Sequence, residues 1–282
     1  MKIIDGFKLF KPKKTTMPCG KLYVATIEIP VNEEKRRTVR VYLPPEYDGK
    51  RRFKVLYMTD GQNMVDRNTS AYGDWEIAHR MRELVKEGYE PFMLVGVDCP
   101  VVPSHRTREY IFNKAKPRPY VFPKNNENWN PYGDKFASFI VNELKPYIDE
   151  NFMTLPDKEN TGFGGSSIGG LFTFDIVSQY PDVFSFGLVF SPAICIFTEN
   201  SYFKDMESRH IKVNDQKFFI YSGGLDKLEN HILKSSTTLY TKLKSRGFDN
   251  DHLQLLTDSR LPHNEASWTK NFNEGLKMWL SK

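Results

Sequence analysis

The stretch Thr161-Gly-Phe-Gly-Gly-Ser-Ser-Ile-Gly-Gly170 decides how this chain is read, because Gly165-Ser166-Ser167-Ile168-Gly169 fits the pattern Gly-x-Ser-x-Gly. A serine on a sharp turn between a strand and a helix presents its hydroxyl to a cleft. Side chains two positions to either side would collide there, hence glycine at 165 and 169. The register is unambiguous, since centring the pattern on Ser166 would need glycine at 168, where isoleucine stands. Ser167 is therefore the candidate nucleophile. The bland alternative is a glycine-rich connector, and the flanks decide between the two. A short stretch ending in Gly162-Phe163-Gly164 precedes the turn; Leu171-Phe-Thr-Phe-Asp-Ile-Val-Ser-Gln-Tyr180 follows it, apolar at helical spacing and stopped by Pro181. The order is strand, glycine-rich turn, helix.

Outward from this turn, other dense apolar runs read as buried strands: Phe53-Lys-Val-Leu-Tyr-Met58, Phe92-Met-Leu-Val-Gly-Val97, Phe186-Gly-Leu-Val-Phe190, Lys217-Phe-Phe-Ile-Tyr221 and His252-Leu-Gln-Leu-Leu256. Amphipathic helices are expected over 75–87, 133–150, 230–246 and 265–280, so that strand and helix alternate and imply a parallel sheet with right-handed crossovers. Residues 21–31 and 37–43 alternate as strands exposed on one face would, and are expected to be antiparallel strands at a sheet edge. From Asp98 to Pro131 periodicity is lost among prolines, aromatic residues and asparagines, which predicts a long loop or small cap facing substrate.

The chain of 282 residues is expected to be one α/β domain over 1–282, carrying that insertion at about 98–131. Its composition, 39% hydrophobic and 14% aromatic, is ordinary for a globular protein, and no apolar run reaches membrane-spanning length. The start, Met1 to Lys14, is too interrupted by charge to supply the apolar centre of a signal peptide, so a cytoplasmic location is expected. Three cysteines, Cys19, Cys99 and Cys195, are odd in number and far apart, which argues against a disulfide framework and for buried thiols. The net charge of +5 is dispersed and no nucleic-acid motif accompanies it, so neither nucleic acid nor membrane is expected as a partner. Oligomeric state is not legible.

A serine hydroxyl is a poor nucleophile at neutral pH without a base in hydrogen-bond reach and a carboxylate to orient that base. Of six histidines, His263 alone lies after the last expected strand and before the final helix. Its bland reading is a helix-capping surface residue. For the acid, Asp226 follows the strand 217–221 across Gly223-Gly224, with Glu229 next in preference and Asp258 third. An oxyanion hole needs two backbone N–H groups. Ile168, the residue after the nucleophile, supplies one; the other is expected from the loop after strand 53–58, at Gln62.

Leu56-Tyr-Met-Thr-Asp-Gly-Gln-Asn63, Arg106-Thr-Arg-Glu-Tyr110, Gly164-Gly-Ser-Ser-Ile-Gly-Gly-Leu171, Ser191-Pro192 and Pro262-His-Asn-Glu-Ala-Ser-Trp268 occur together and in order. In these motifs, across about residues 24 to 280, the chain resembles the esterase family of α/β hydrolases that includes esterase D, feruloyl esterases, enterochelin and salmochelin esterases and mycolyltransferases. The resemblance implies an α/β-hydrolase fold, Ser167 as nucleophile, His263 as base, a carboxylate at the Asp226 position, where members often carry glutamate, and Gln62 in the second oxyanion loop. Thr59 departs from the histidine often found before Asp-Gly, and no counterpart of the separate amino-terminal domain of enterochelin esterases is expected.

The function expected is a serine carboxylesterase working through an acyl-enzyme, with no metal or organic cofactor. Alternatives are acyl transfer to an alcohol on the same fold and a non-catalytic binding protein. The substrate expected is a small-molecule ester with a sugar or aromatic acyl group, contacted by Asp60, Arg108 and Trp129, with Arg106 or Arg108 available to an anionic group. The bland reading of Arg108 is a structural ion pair.

Overall fold

In the computed structural model, which describes residues 1–281 except 13, 32, 71–72, 113–116, 119–129 and 210, with the backbone alone at 199–200, nine strands form one sheet. They are β1 (Lys2–Leu9), β2 (Lys21–Glu28), β3 (Arg36–Leu43), β4 (Val55–Met58), β5 (Met93–Val97), β6 (Thr161–Ser166), β7 (Phe186–Phe190), β8 (Lys217–Ser222) and β9 (Leu253–Thr257). Their spatial order is β1-β2-β3-β5-β4-β6-β7-β8-β9. The pairs from β1 to β5 are antiparallel and the remainder parallel, so the sheet has a parallel body with an antiparallel amino-terminal edge.

Alternation along the central strands explains the layers. Val55 and Tyr57 of β4 join one core, Leu56 and Met58 the other, and all four are buried because helices cover both faces. The helices are α1 (Ile77–Lys86), α2 (Pro103–Glu109), α3 (Gly133–Phe139), α4 (Lys145–Asn151), α5 (Ile168–Gln179), α6 (Glu199–Glu207), α7 (Lys227–Ser245) and α8 (Glu265–Lys277). Phe136 of α3, Phe172 and Ile176 of α5 and Leu239 and Leu243 of α7 pack into the first core. Met81 and Leu84 of α1 with Trp268, Phe272 and Leu276 of α8 fill the second. Among the described residues, no helix is long and apolar enough to cross a membrane.

Three elements differ from expectation. The opening segment forms β1, an edge strand whose residues are mostly exposed and so lack the apolar alternation that marks a half-buried strand. The 98–131 segment contains α2, begun by Pro103 at its first turn. The helix over 133–150 runs through a widened π-turn at Ile140–Leu144, where the Lys145 N–H reaches back to the carbonyl of Ile140. Pro146 follows at once, and a proline ring would press on the carbonyl four residues before it in a regular helix.

Candidate active site

Loops at the carboxyl ends of β4, β6, β7, β8 and β9 meet at one end of the sheet, the usual place for ligands in such folds. The turn after β6 is tight: Ser167 has φ 59 and ψ −124, a left-handed conformation costly for a residue with a side chain. The flanking glycines are required by close packing. A Cβ on Gly165 would lie 2.4 Å from Thr59 Oγ1 and 2.8 Å from the Gly169 carbonyl oxygen, and one on Gly169 would lie 2.3 Å from Thr59 Oγ1. The turn is tied down by the Ser167 N–H, which donates to the Phe190 carbonyl at 3.0 Å.

Ser167 Oγ lies 2.9 Å from His263 Nε2, and His263 Nδ1 meets Glu229 Oε2. Glu229 is fully buried and its other oxygen is held by the Ser191 hydroxyl and, at 2.6 Å, by the Gly223 N–H. The Trp268 indole N–H donates to Ser191 Oγ at 2.9 Å, and its ring meets the imidazole edge-on with centroids 5.0 Å apart. Imidazole and carboxylate are thus fixed from several sides.

The carboxylate against the imidazole is Glu229, which corrects the expectation of Asp226. Asp226 is the N-cap of α7: its Oδ1 accepts from the Glu229 N–H at 2.8 Å, and its Oδ2 accepts from the His263 backbone N–H at 2.8 Å. It steadies the chain at both residues without touching the ring. Burial pushes its carboxyl up, but those backbone donors prevail and hold it below the usual carboxylate range. Asp258 is paired with Arg260, which with the Arg260 N–H depresses its carboxyl to about 2.

Beside Ser167, Ile168 is the first residue of α5, so its N–H has no intrahelical acceptor. Gln62 sits in the short helical turn Gly61–Asn63 after β4, ahead of its first bond, Asn63 N–H to the Asp60 carbonyl. Gln62 is held at both its side chain and its carbonyl. The Gln62 amide pairs with Cys99, its oxygen accepting the Cys99 N–H at 3.0 Å and its nitrogen lying 3.1 Å from the sulfur; the Thr69 hydroxyl donates to the Gln62 carbonyl at 2.6 Å. Asp60 is in a left-handed conformation, its N–H donating to Tyr110 Oη at 3.2 Å.

Asp60 lines the cleft, yet its carboxylate is held by Arg106 in a two-point pairing at 2.7 and 2.9 Å. Arg108 pairs with Glu33 and is not among the described lining residues, in keeping with its structural reading. Trp129 lies outside the described residues. The three cysteines are free and partly exposed. Burial and the charge of Asp60 push the Cys99 thiol up to about 12, which leaves it protonated and weakly nucleophilic at neutral pH. Among the described residues no cluster of His, Cys, Asp and Glu is arranged to hold a metal ion.

The cleft above this chain measures about 760 Å³ and is lined by Gln62, Asn63, Cys99, Ser167, His263 and Glu265 among others. A doubly covered, mainly parallel sheet with a serine, a histidine and a carboxylate linked in this chain order at its carboxyl edge defines an α/β hydrolase. The model of the family described as "Putative esterase" matches residues 32–277, and the chain belongs to that family: it is an esterase. It is 27% identical over 260 residues to YbbA of Bacillus subtilis strain 168, covering 86% of this chain and 92% of that one. It is 26% identical over 173 residues to the ferri-bacillibactin esterase BesA of the same organism, covering 58% of this chain and 56% of that one. Its fold is similar to that of a ferulic acid esterase from Anaeromyces mucronatus solved in complex with ferulic acid, with a TM-score of 0.62, 19% identity and coverage of 95% and 93% of the two chains.

Proposed function

We propose that this esterase is a serine carboxylic-ester hydrolase whose triad is Ser167, His263 and Glu229. Ser167 Oγ attacks the ester carbonyl while its proton passes to His263 Nε2, 2.9 Å away. The buried Glu229 holds Nδ1, fixing the tautomer and stabilising the imidazolium that forms. Negative charge develops on the carbonyl oxygen, and the N–H groups of Ile168 and Gln62 are the donors assigned to it. The imidazolium then protonates the departing alcohol. Water follows, loses a proton to His263, attacks the acyl-enzyme and releases the acid.

The observation that carries the reading is the unbroken run of hydrogen bonds from Ser167 to a fully buried glutamate, opening on a cleft large enough for an ester. The similarity to a ferri-bacillibactin esterase and a ferulic acid esterase supports a small-molecule ester as the substrate class, and the second of them favours an aromatic acyl group within it. The test is turnover of short p-nitrophenyl esters. Ser167→Ala should lower kcat by at least about a thousandfold with an unchanged circular dichroism spectrum; retained turnover would exclude Ser167 as nucleophile.

A further inference from the structure

Among the described residues three carboxylates line the cleft, and two have cationic partners. Asp60 is paired at two points with Arg106, and Asp98 at two points with Arg40, at 2.6 and 2.8 Å. The third, Glu265, is different. It is 9% exposed, lies two residues beyond His263 at the start of α8, and among the described residues its one side-chain partner is the neutral Asn63 amide, 3.4 Å away. No salt bridge reaches it among those residues.

A carboxylate so placed is expensive to keep unless something polar meets it, since desolvation penalises the charge and a long amide contact returns little. Burial, with the nearby charge of Asp60, pushes its carboxyl above the usual range against its own backbone N–H and the more distant charges of His263 and Arg106. An ordinary helix-terminal glutamate would face solvent and complement the helix dipole. Glu265 faces the space that holds Ser167 and His263. Asn63 stands beside Gln62 on the oxyanion loop, and its carbonyl is occupied by the Trp75 N–H, so its side-chain amide, in long contact with Glu265, is what it offers to the cleft.

We propose that Glu265 and Asn63 form a subsite that accepts a neutral hydroxyl group of the substrate and rejects an anionic group at the same place. The carboxylate supplies the acceptor and the amide a donor. A hydroxyl can satisfy both, whereas a carboxylate or phosphate would meet a like charge that no direct ion pair offsets, in a partly desolvated cleft. The proposal rests on the cleft being the ester-binding site. It makes the acid next to the base a determinant of specificity, not a participant in bond cleavage.

The experiment reads binding, so that its failure is distinct from failure of the hydrolytic reading, which turnover of methyl cinnamate by the wild-type protein decides separately. The Ser167→Ala protein and its Glu265→Gln and Asn63→Asp derivatives are titrated calorimetrically at neutral pH. The ligands are methyl cinnamate, methyl 4-hydroxycinnamate and the 4-carboxylate analogue. In Ser167→Ala the hydroxyl ester should bind more tightly than methyl cinnamate, and the carboxylate ester at least about tenfold more weakly. Glu265→Gln should shrink the ratio of carboxylate to unsubstituted Kd by about tenfold, and Asn63→Asp should widen it. An unchanged ratio in both variants, or no binding of any of the three esters, would overturn the subsite.

Discussion

Two carboxylates three residues apart do different work. Asp226 is the cap of α7 and the brace of the His263 backbone; Glu229, one turn in, lies against the imidazole. On the proposed mechanism Glu229→Gln should lower kcat by about ten-thousandfold, because the amide can favour the wrong tautomer of the histidine. Asp226→Asn should keep kcat within about tenfold of wild type, since asparagine is itself a good cap. Steady-state kinetics on both variants checks the pair; equal losses would contradict the assignment. Asp226 carries a pH signature as well. Its carboxyl is depressed in the folded protein, so its contribution is present above the unfolded carboxylate value and is lost as pH falls through the folded one. Asp226→Ala should therefore lower Tm near neutrality, at a cost of about 1 kcal/mol, and the gap to wild type should close as pH falls below about 4. This division was legible in part. Asp226-Lys-Leu-Glu229 has the spacing of a helix start, with a capping residue three before a glutamate. Beginning the helix at Asn230 hid that pattern and left both acids looking like loop residues. Ser191 and Trp268, which fix Glu229, carried no signal of their own beyond their place in the family motifs.

At the scale of elements, the elbow and the loop after β4 form one packed unit. Thr59 presses its hydroxyl against the space over Gly165 and Gly169, so the turn at Ser167 and the loop after β4 cannot shift independently. Gly165→Ala should destabilise the protein by about 1–3 kcal/mol and reduce kcat, as the backbone carbonyl of Gly169 leaves no room for a methyl group. Thermal melts with matched kinetics check this; a variant of wild-type stability and activity would contradict the packing argument. The short helix α2 serves the same unit, carrying Arg106 to Asp60 and Tyr110 to the Asp60 N–H. Its presence was not legible, because a proline followed by six polar residues offers no apolar stripe. The strand–turn–helix at the elbow was legible because its pattern is local: glycines where Cβ atoms cannot fit, then an apolar run in register with a helix. The exposed edge strand β1 shows the reverse case, a regular element whose sequence need not be apolar on either face.

For the whole molecule, the antiparallel edge does more than extend the sheet. Strand β3 sends Arg40 to Asp98 on the wall of the cleft and Arg37 to Glu109 at the end of α2, the latter at 2.6 and 3.1 Å with both side chains buried. Burial pushes the Glu109 carboxyl up even with Arg37 opposing it, so removing the guanidinium takes away the cation hydrogen-bonded to both of its oxygens and leaves the more distant charge of Arg106. Arg37→Ala should cost about 3–5 kcal/mol of stability, measured by denaturant unfolding, and should loosen the loop that fixes Asp60; a cost within the range of a surface substitution would contradict this link. The parallel body and its helices were readable from apolar runs, whereas these ties join residues far apart in the chain and leave no periodic trace. Everything proposed for the chemistry rests on one side chain being made reactive by another 96 positions away. Mass spectrometry after brief exposure to a fluorophosphonate tests that directly. The expected result is a single adduct on the peptide bearing Ser167, lost in His263→Ala; no adduct, an adduct elsewhere, or equally fast labelling of His263→Ala would contradict it.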